Sequence, residues 1–265
     1  MDLQLASKRA IVTGGSRGIG FAVAEALVAE GAHVALVARG REGLNQAKAL
    51  LARHNGKVLA ISADSNDDPA VREAVASTVR EFGGVDILVN AAARPGNPLT
   101  APALQDLTDD DLRTEVETKV LGYLRFARAA APHMARQGWG RIINISGLAA
   151  RQTGLTFGSI RNVAVAAMTK NLADELGPAG INVTVVHPGF VITERTPMLI
   201  AAQAASSGTN EDEVRAVIAS RTSIGRLVTA AEVANVVAFL ASPRSVSITG
   251  DAIAVAGGVP GPIHY

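Results

Sequence analysis

Cysteine is absent from the 265 residues, which rules out disulfides and thiolate metal sites. Five histidines are scattered without helical pairing, a pattern that points away from zinc. Aromatic residues make up 3% of the chain, and its two tyrosines are Tyr123 and Tyr265. Neither sign of charge is in excess: 25 Lys and Arg face 24 Asp and Glu, for a net +1. No basic block stands out, so electrostatics gives no reason to expect nucleic acid or an anionic membrane as partner. No apolar run reaches membrane-spanning length. The start, Met1 to Leu5, is too short and too polar before the first strand for a signal peptide. A soluble, cytoplasmic protein acting on a small molecule is the expectation.

What is present is an alternation. The chain is 48% hydrophobic, enough for one sizeable core. Short Val/Ile-rich runs recur at 10–12, 33–37, 58–61, 85–89, 141–145, 181–186 and 252–255. They barely alternate in polarity, as strands buried on both faces do. Helical patterns separate them, including Glu42 to His54 and a helix capped by Asp67 or Asp68 with Pro69 in its first turn. Strands separated by helices imply right-handed crossovers. The expected fold is a single α/β domain over 1–265, doubly wound, with a parallel sheet of about seven strands. No linker, low-complexity tract or repeat interrupts it. The least regular stretch runs from Pro188 to Asn210, beyond the sixth strand, where open α/β sheets bind ligands. It is a candidate substrate lid.

The chain is organised around Ala10-Ile11-Val12-Thr13-Gly14-Gly15-Ser16-Arg17-Gly18-Ile19-Gly20. This reads as a strand, a glycine turn and the opening of a helix. Such a turn lets a ligand approach the backbone, and the helix start offers unpaired N–H groups, so a diphosphate is the usual occupant. A plain structural turn is the alternative, but the strand–turn–helix context favours a dinucleotide. An acidic residue ending the second strand would accept from ribose hydroxyls and repel a 2′-phosphate. That place holds Ala38, followed by Arg39, and Arg17 lies in the glycine turn. These two cations favour NADP(H) over NAD(H), unless both are simply solvated.

With these residues in view, the chain resembles the short-chain dehydrogenase/reductase family over nearly its full length. Thr13 to Gly20 resembles the family's cofactor turn. The resemblance implies that Gly14, Ser16, Arg17, Gly18, Ile19 and Gly20 bind cofactor, and that Asp64 meets the adenine. Asn90-Ala91-Ala92-Ala93 is similar to the family's Asn-Asn-Ala-Gly motif. Pro188, Gly189, Val191 and Thr193 match its Pro-Gly loop, whose threonine holds the nicotinamide carboxamide. Gly225-Arg226, Phe239 to Ser242, Thr249-Gly250 and Gly257-Gly258 fit its C-terminal landmarks.

The likeness fails at the catalytic motif. The family's tyrosine falls on Gly158 and its lysine on Asn162; the second serine of its Asn-Ile-Ser-Ser motif falls on Gly147. Ser146 either serves the substrate or bonds backbone at a strand end. The family's helix asparagine falls on Lys119. Lysine and asparagine have therefore changed places, and Lys119, Ser146 and Asn162 are the candidate catalytic residues. Lys119 has two other readings: pairing with Glu115 across one helical turn, and drift after catalysis was lost. His187 reads as structural rather than as a general base. Arg94 either faces an acidic substrate or is solvated. Tyr123 is expected to pack against a partner subunit in a homodimer or homotetramer, and His264 and Tyr265 form a short tail. The implied activity is hydride transfer with NADP(H); the alternative is a catalytically silent dinucleotide-binding subunit.

Overall fold

Seven short apolar segments reappear as strands of one sheet: β1 (Arg9–Thr13), β2 (His33–Ala38), β3 (Val58–Ser62), β4 (Ile87–Asn90), β5 (Gly140–Ile145), β6 (Ile181–Pro188) and, last in the chain, β9 (Ala252–Val255). The structure is a computed structural model describing residues 1–94, 99 and 101–260; His264 and Tyr265 lie outside the described residues. The sheet order is β3-β2-β1-β4-β5-β6-β9, and every pairing is parallel. This is the expected doubly wound sheet. Its order reverses between β1 and β4, where Thr13 pairs with Asn90 and Asn90 with Asn144. A crevice at the carboxyl ends of the strands follows from that reversal.

Helices cover both faces. α1 (Gly18–Ala29) and α2 (Arg41–Leu51) pack on one side through Val23, Leu27, Leu44 and Leu51. α3 (Asp68–Phe82) and α5 (Gly122–Gln137) cover the other through Val71, Val75, Phe126 and Met134. Each fully buried side chain of this kind contributes about 1.5–3 kcal/mol of transfer free energy. Asp67 is the cap of α3, its side chain accepting from Ala70 N at 3.1 Å. α2 ends at Leu51, three residues short of the expected His54.

The remaining elements shape the site. α4 (Asp109–Glu115) continues through a π-helical turn at Val116–Leu121 into α5. α6 (Thr156–Leu176) follows β5. The segment expected to be irregular is not: β7 (Val191–Ile192) leads into α7 (Thr196–Ser207), and α8 (Glu211–Ser220) follows at once. Ile200 and Ala204 of α7 bury themselves against Val214 and Ile218 of α8. Its polar and small residues hid two helices whose apolar sides need each other. β8 (Val228–Thr229) pairs with β7, and Thr229 and Glu232 cap α9 (Ala230–Ala241) reciprocally.

Candidate functional site

The glycine turn is built by steric exclusion. Gly14 has φ +67°, and a Cβ there would lie 2.9 Å from Ala91 O. A Cβ on Gly20 would lie 2.3 Å from Gly14 O, inside any tolerable contact. Thr13 braces the turn from below, its Oγ1 accepting from Ala91 N at 3.0 Å and Ala92 N at 3.1 Å. No side chain caps α1 and its first turn holds no acid. The helix therefore opens without a cap of its own, which fits a diphosphate, and the carboxylate beside it is that of Glu194, whose oxygens lie 3.9 Å from where a Gly18 Cβ would be.

The surrounding residues fit the rest of a phosphorylated dinucleotide. Arg17 and Arg39 are exposed, and neither guanidinium has a partner among the described residues. Ala38 ends β2 beside Ser62 of β3, so no carboxylate stands there. Ser16 packs beside Gly43. Asp64 follows β3 and accepts from Asn66 N at 3.0 Å through Oδ1. Across the crevice, the Pro188-Gly189 loop reaches the turn: a Cβ on Gly18 would sit 3.8 Å from Thr193 Cγ2. Thr193 N donates to Thr196 Oγ1 at 2.9 Å, and Val191 O accepts from the same hydroxyl at 3.2 Å.

A second cluster is made of side chains. Asn90 Nδ2 donates to Asn144 Oδ1 at 2.9 Å, and Asn144 Nδ2 donates to Thr169 Oγ1 at 2.9 Å. Asn90 Oδ1 is buried without a partner. Beside this chain, the π-helical turn carries Lys119 inward, 4% exposed. Such turns concentrate at functional sites. Lys119 Nζ donates to Ser146 O at 2.8 Å and to Asn162 Oδ1 at 2.9 Å. No carboxylate accompanies it, and burial lowers its pKa to about 7.

Because Nζ–H donates to Oδ1, the Asn162 amide is oriented with Nδ2 on the other side. There it lies against Gly147: a Cβ at 147 would come within 2.8 Å of Nδ2. Residues 119, 147 and 162 are thus linked through the Asn162 amide. The resemblance had related only Lys119 and Asn162.

Asn162, Ser146 and Gly147 line a cleft of about 1150 Å³ together with Ile19, Pro188 and Gly189. Ile19 belongs to the glycine turn, so turn, loop and polar cluster open onto one space. Lys119 stands behind the wall that Ser146 and Asn162 form. Ser146 Oγ donates to Asn162 O at 3.1 Å, which is the backbone-bonded reading. Gly158 lines the cleft without a side chain.

Two expectations are corrected, those for Lys119 and Tyr123, and the places of Arg94 and His187 follow them. Lys119 does not pair with Glu115; Glu115 binds Arg161 instead, and the π-turn swings Lys119 inward. Tyr123 is not at the surface: it is 1% exposed, packs with Val165 and Val185, and donates to Ile145 O at 2.9 Å. Arg94 faces Asp111 at 3.7 Å in solvent. His187 is buried with Nδ1 unpartnered. Burial, then the charges of Arg151 and Lys119, lower its pKa to about 4, so it is neutral at pH 7. The cleft also uses residues the sequence did not mark. Arg151, Ile218 and Arg221 line it, and their only signal was position after a strand or beyond the expected lid.

Comparison with known proteins agrees with this geometry. The model of a family described as enoyl-(acyl carrier protein) reductase matches residues 14–260. The short-chain reductase protein NovJ of Streptomyces niveus is 38% identical over 252 residues, covering 95% of this chain and 93% of that protein. The 3-oxoacyl-(acyl-carrier-protein) reductase of Salmonella typhimurium is 37% identical over 255 residues, covering 95% and 97%. The crystal structure of L-sorbose reductase from Gluconobacter frateurii, complexed with NADPH and L-sorbose, superposes with a TM-score of 0.92 at 30% identity, covering 99% of this chain and 100% of that one.

Proposed function

We infer what this chain does from one premise: it belongs to the short-chain dehydrogenase/reductase family. On that premise it is an atypical NADP(H)-dependent oxidoreductase. Its substrate is a carbonyl or alcohol, or an activated C=C or C=N bond. When bound, the nicotinamide supplies or accepts the hydride. The glycine turn and α1 would hold the diphosphate, and Arg17 and Arg39 the 2′-phosphate. Asp64 is assigned to the adenine, and Asn90 with the loop from Pro188 to Thr193 to the nicotinamide end. The observation that carries this reading is the shared cleft: Ile19 of the cofactor turn lines the same space as Ser146 and Asn162.

Within that cleft, Asn162 is the polar group that faces substrate, and Lys119 positions it. The Nζ–H to Oδ1 bond fixes the amide and polarises it, which strengthens Nδ2 as a donor. Two of the three Nζ sites are spent on carbonyl oxygens. With a pKa near 7, the third alternates between N–H and lone pair at neutral pH. Lys119 therefore holds an exchangeable proton one residue behind the wall, close to the pH at which such a group works best. Ser146, whose proton goes to Asn162 O, is left as an acceptor. Where the family places a phenol, Gly158 leaves space, so the substrates that fit best need little acid assistance at oxygen.

Stopped-flow oxidation of NADPH across ketones, enones and imines tests this; turnover of at least one class is expected. Tight NADPH binding by calorimetry with no turnover of any class would leave a silent dinucleotide-binding subunit. The bare Gly158 and the sealed Tyr123 phenol favour that second reading. We also propose a dimer or tetramer built on the outer face of α6, where Ile160 and Val163 are 44% and 49% exposed. A monomer by light scattering at micromolar concentration would remove it. The cover of the substrate space extends beyond 188–210, since Ile218, Arg221 and Thr222 also line the cleft.

A further inference from the structure

The charge in the cleft is one-sided. Three arginines line it, Arg151, Arg161 and Arg221, and no aspartate or glutamate among the described residues does, although Arg221 also borders a neighbouring pocket that Glu213 lines. Composition does not explain this, because the chain as a whole holds 25 cations and 24 anions. The three come from separate places: the turn after β5, α6, and the end of α8. Their states differ. Arg161 is spent on Glu115. Arg151 donates to Ala252 O at 2.9 Å, a neutral acceptor that leaves its charge uncompensated. Arg221 has no side-chain partner among the described residues. Arg226, five residues on, is clamped by Glu232 at 2.5 Å, and Arg9, Arg113 and Arg125 likewise carry carboxylate partners.

We propose that this cleft takes a substrate with an apolar body and an anionic group, carboxylate or phosphate, set apart from the reacting carbon and bound by Arg221 and Arg151. The inference rests on the oxidoreductase reading only in calling the ligand a substrate. Leu148, Leu155, Phe190 and Leu227 supply apolar wall, which an all-polar ligand would not cover. Guanidinium forks suit carboxylate and phosphate oxygens in paired hydrogen bonds. The charge of Arg151 is felt at His187 too. After burial, the charges of Arg151 and Lys119 are what hold His187 neutral down to about pH 4. This anion is separate from the cofactor's 2′-phosphate, because Arg17 and Arg39 do not line this cleft, and the titrations with and without NADP⁺ separate it from the diphosphate beside Ile19.

The test is a calorimetric titration of the full chain with hexanoate and with hexanamide, each with and without NADP⁺. Hexanoate is expected to bind at least tenfold more tightly than hexanamide, since a hydrogen bond to a charged group contributes about 1.5–3 kcal/mol. Arg221→Gln and Arg151→Gln should each remove most of that gap, whereas Arg113→Gln, on α4 outside the cleft, should leave it intact. Arg221 is exposed, so its variant should melt with the parent; Arg151→Lys, which keeps the charge, covers the case in which Arg151→Gln fails to fold. Equal binding of the two ligands, or a gap that survives both substitutions, overturns the proposal. A gap that holds in a protein with no turnover leaves the anion site standing and removes the oxidoreductase reading instead. A phosphate ester such as hexyl phosphate, run alongside, tells which anion is preferred.

Discussion

The two halves of the site are made of different material. Around β1 and α1 the candidate ligand surface is backbone: Gly14 and Gly20 let chain approach chain, and α1 opens without a side-chain cap. Around β5 and α6 it is side chain: Lys119, Ser146 and Asn162 hold one another through two short bonds to Nζ. A backbone site is set by what must be missing, namely a Cβ. It therefore tolerates almost no change of residue type. A side-chain site is set by partnerships, and partners can be exchanged together. On the proposed reading the first half keeps the family's pattern and the second exchanges residues at 119, 147 and 162, as those materials lead one to expect.

The comparison breaks most visibly at Gly20. Gly20→Ala puts a methyl 2.3 Å from Gly14 O. The resulting overpacking should cost about 1–3 kcal/mol of stability, with NADPH affinity falling by a similar free energy in calorimetry. Unchanged affinity would mean that the turn is not the cofactor site. Next comes Lys119→Met. NADPH binding should hold within about threefold while kcat falls about 10–100-fold, the worth of one charged hydrogen bond. The same variant has a pH signature. The Lys119 pKa is near 10.5 unfolded and about 7 folded, so between those values the unfolded chain binds more protons and stability rises with pH. Below pH 7 both states are charged and the burial penalty is fully present. Denaturant melts should show the rise from pH 7 to 10 in the parent and its loss in the variant; parallel curves would place Lys119 in water.

A smaller effect is expected from Arg39→Asp, which should turn a preference for NADPH into one for NADH, each by about tenfold, the order of one phosphate contact. Equal parental affinities for the two cofactors would remove the argument. Smallest is Gly147→Ala, whose methyl meets Asn162 Nδ2 at 2.8 Å. A cost of about 1 kcal/mol should shrink in an Asn162→Ala background, with a coupling of about 0.5–1 kcal/mol in a double-mutant cycle. Additive effects would show that the amide swings aside.

The parallel seven-stranded sheet, the cap of α3 and the strand–turn–helix form of the glycine turn were legible because local signals carry them: Val/Ile runs, Pro69 beside Asp67, glycines between strand and helix. Register against the family related Lys119 to Asn162, and the structure bonds the two. Gly147 was not legible as their neighbour, since its approach to Asn162 is a tertiary distance without a sequence signature. Tyr123 misled for the same reason. A tyrosine on a helix reads alike whether it meets a partner subunit or Ile145 O of its own sheet. The two cap helices were missed because α7, rich in alanine and serine, shows its apolar side only against Val214 and Ile218.

The π-helical turn at Val116–Leu121 has a consequence for how such a site arises. Lys119 points inward because the helix there carries more residues per turn than an α-helix. Removing a single residue between Val116 and Lys119 would restore ordinary winding and rotate the preceding segment by about 100°. Lysine would still be present, yet α4 and its Glu115 would face elsewhere and Arg161 would lose its partner. The arrangement is thus inherited as a length as much as a set of letters. Insertion and deletion, rather than substitution, are the genetic events to which this wall of the cleft is most exposed.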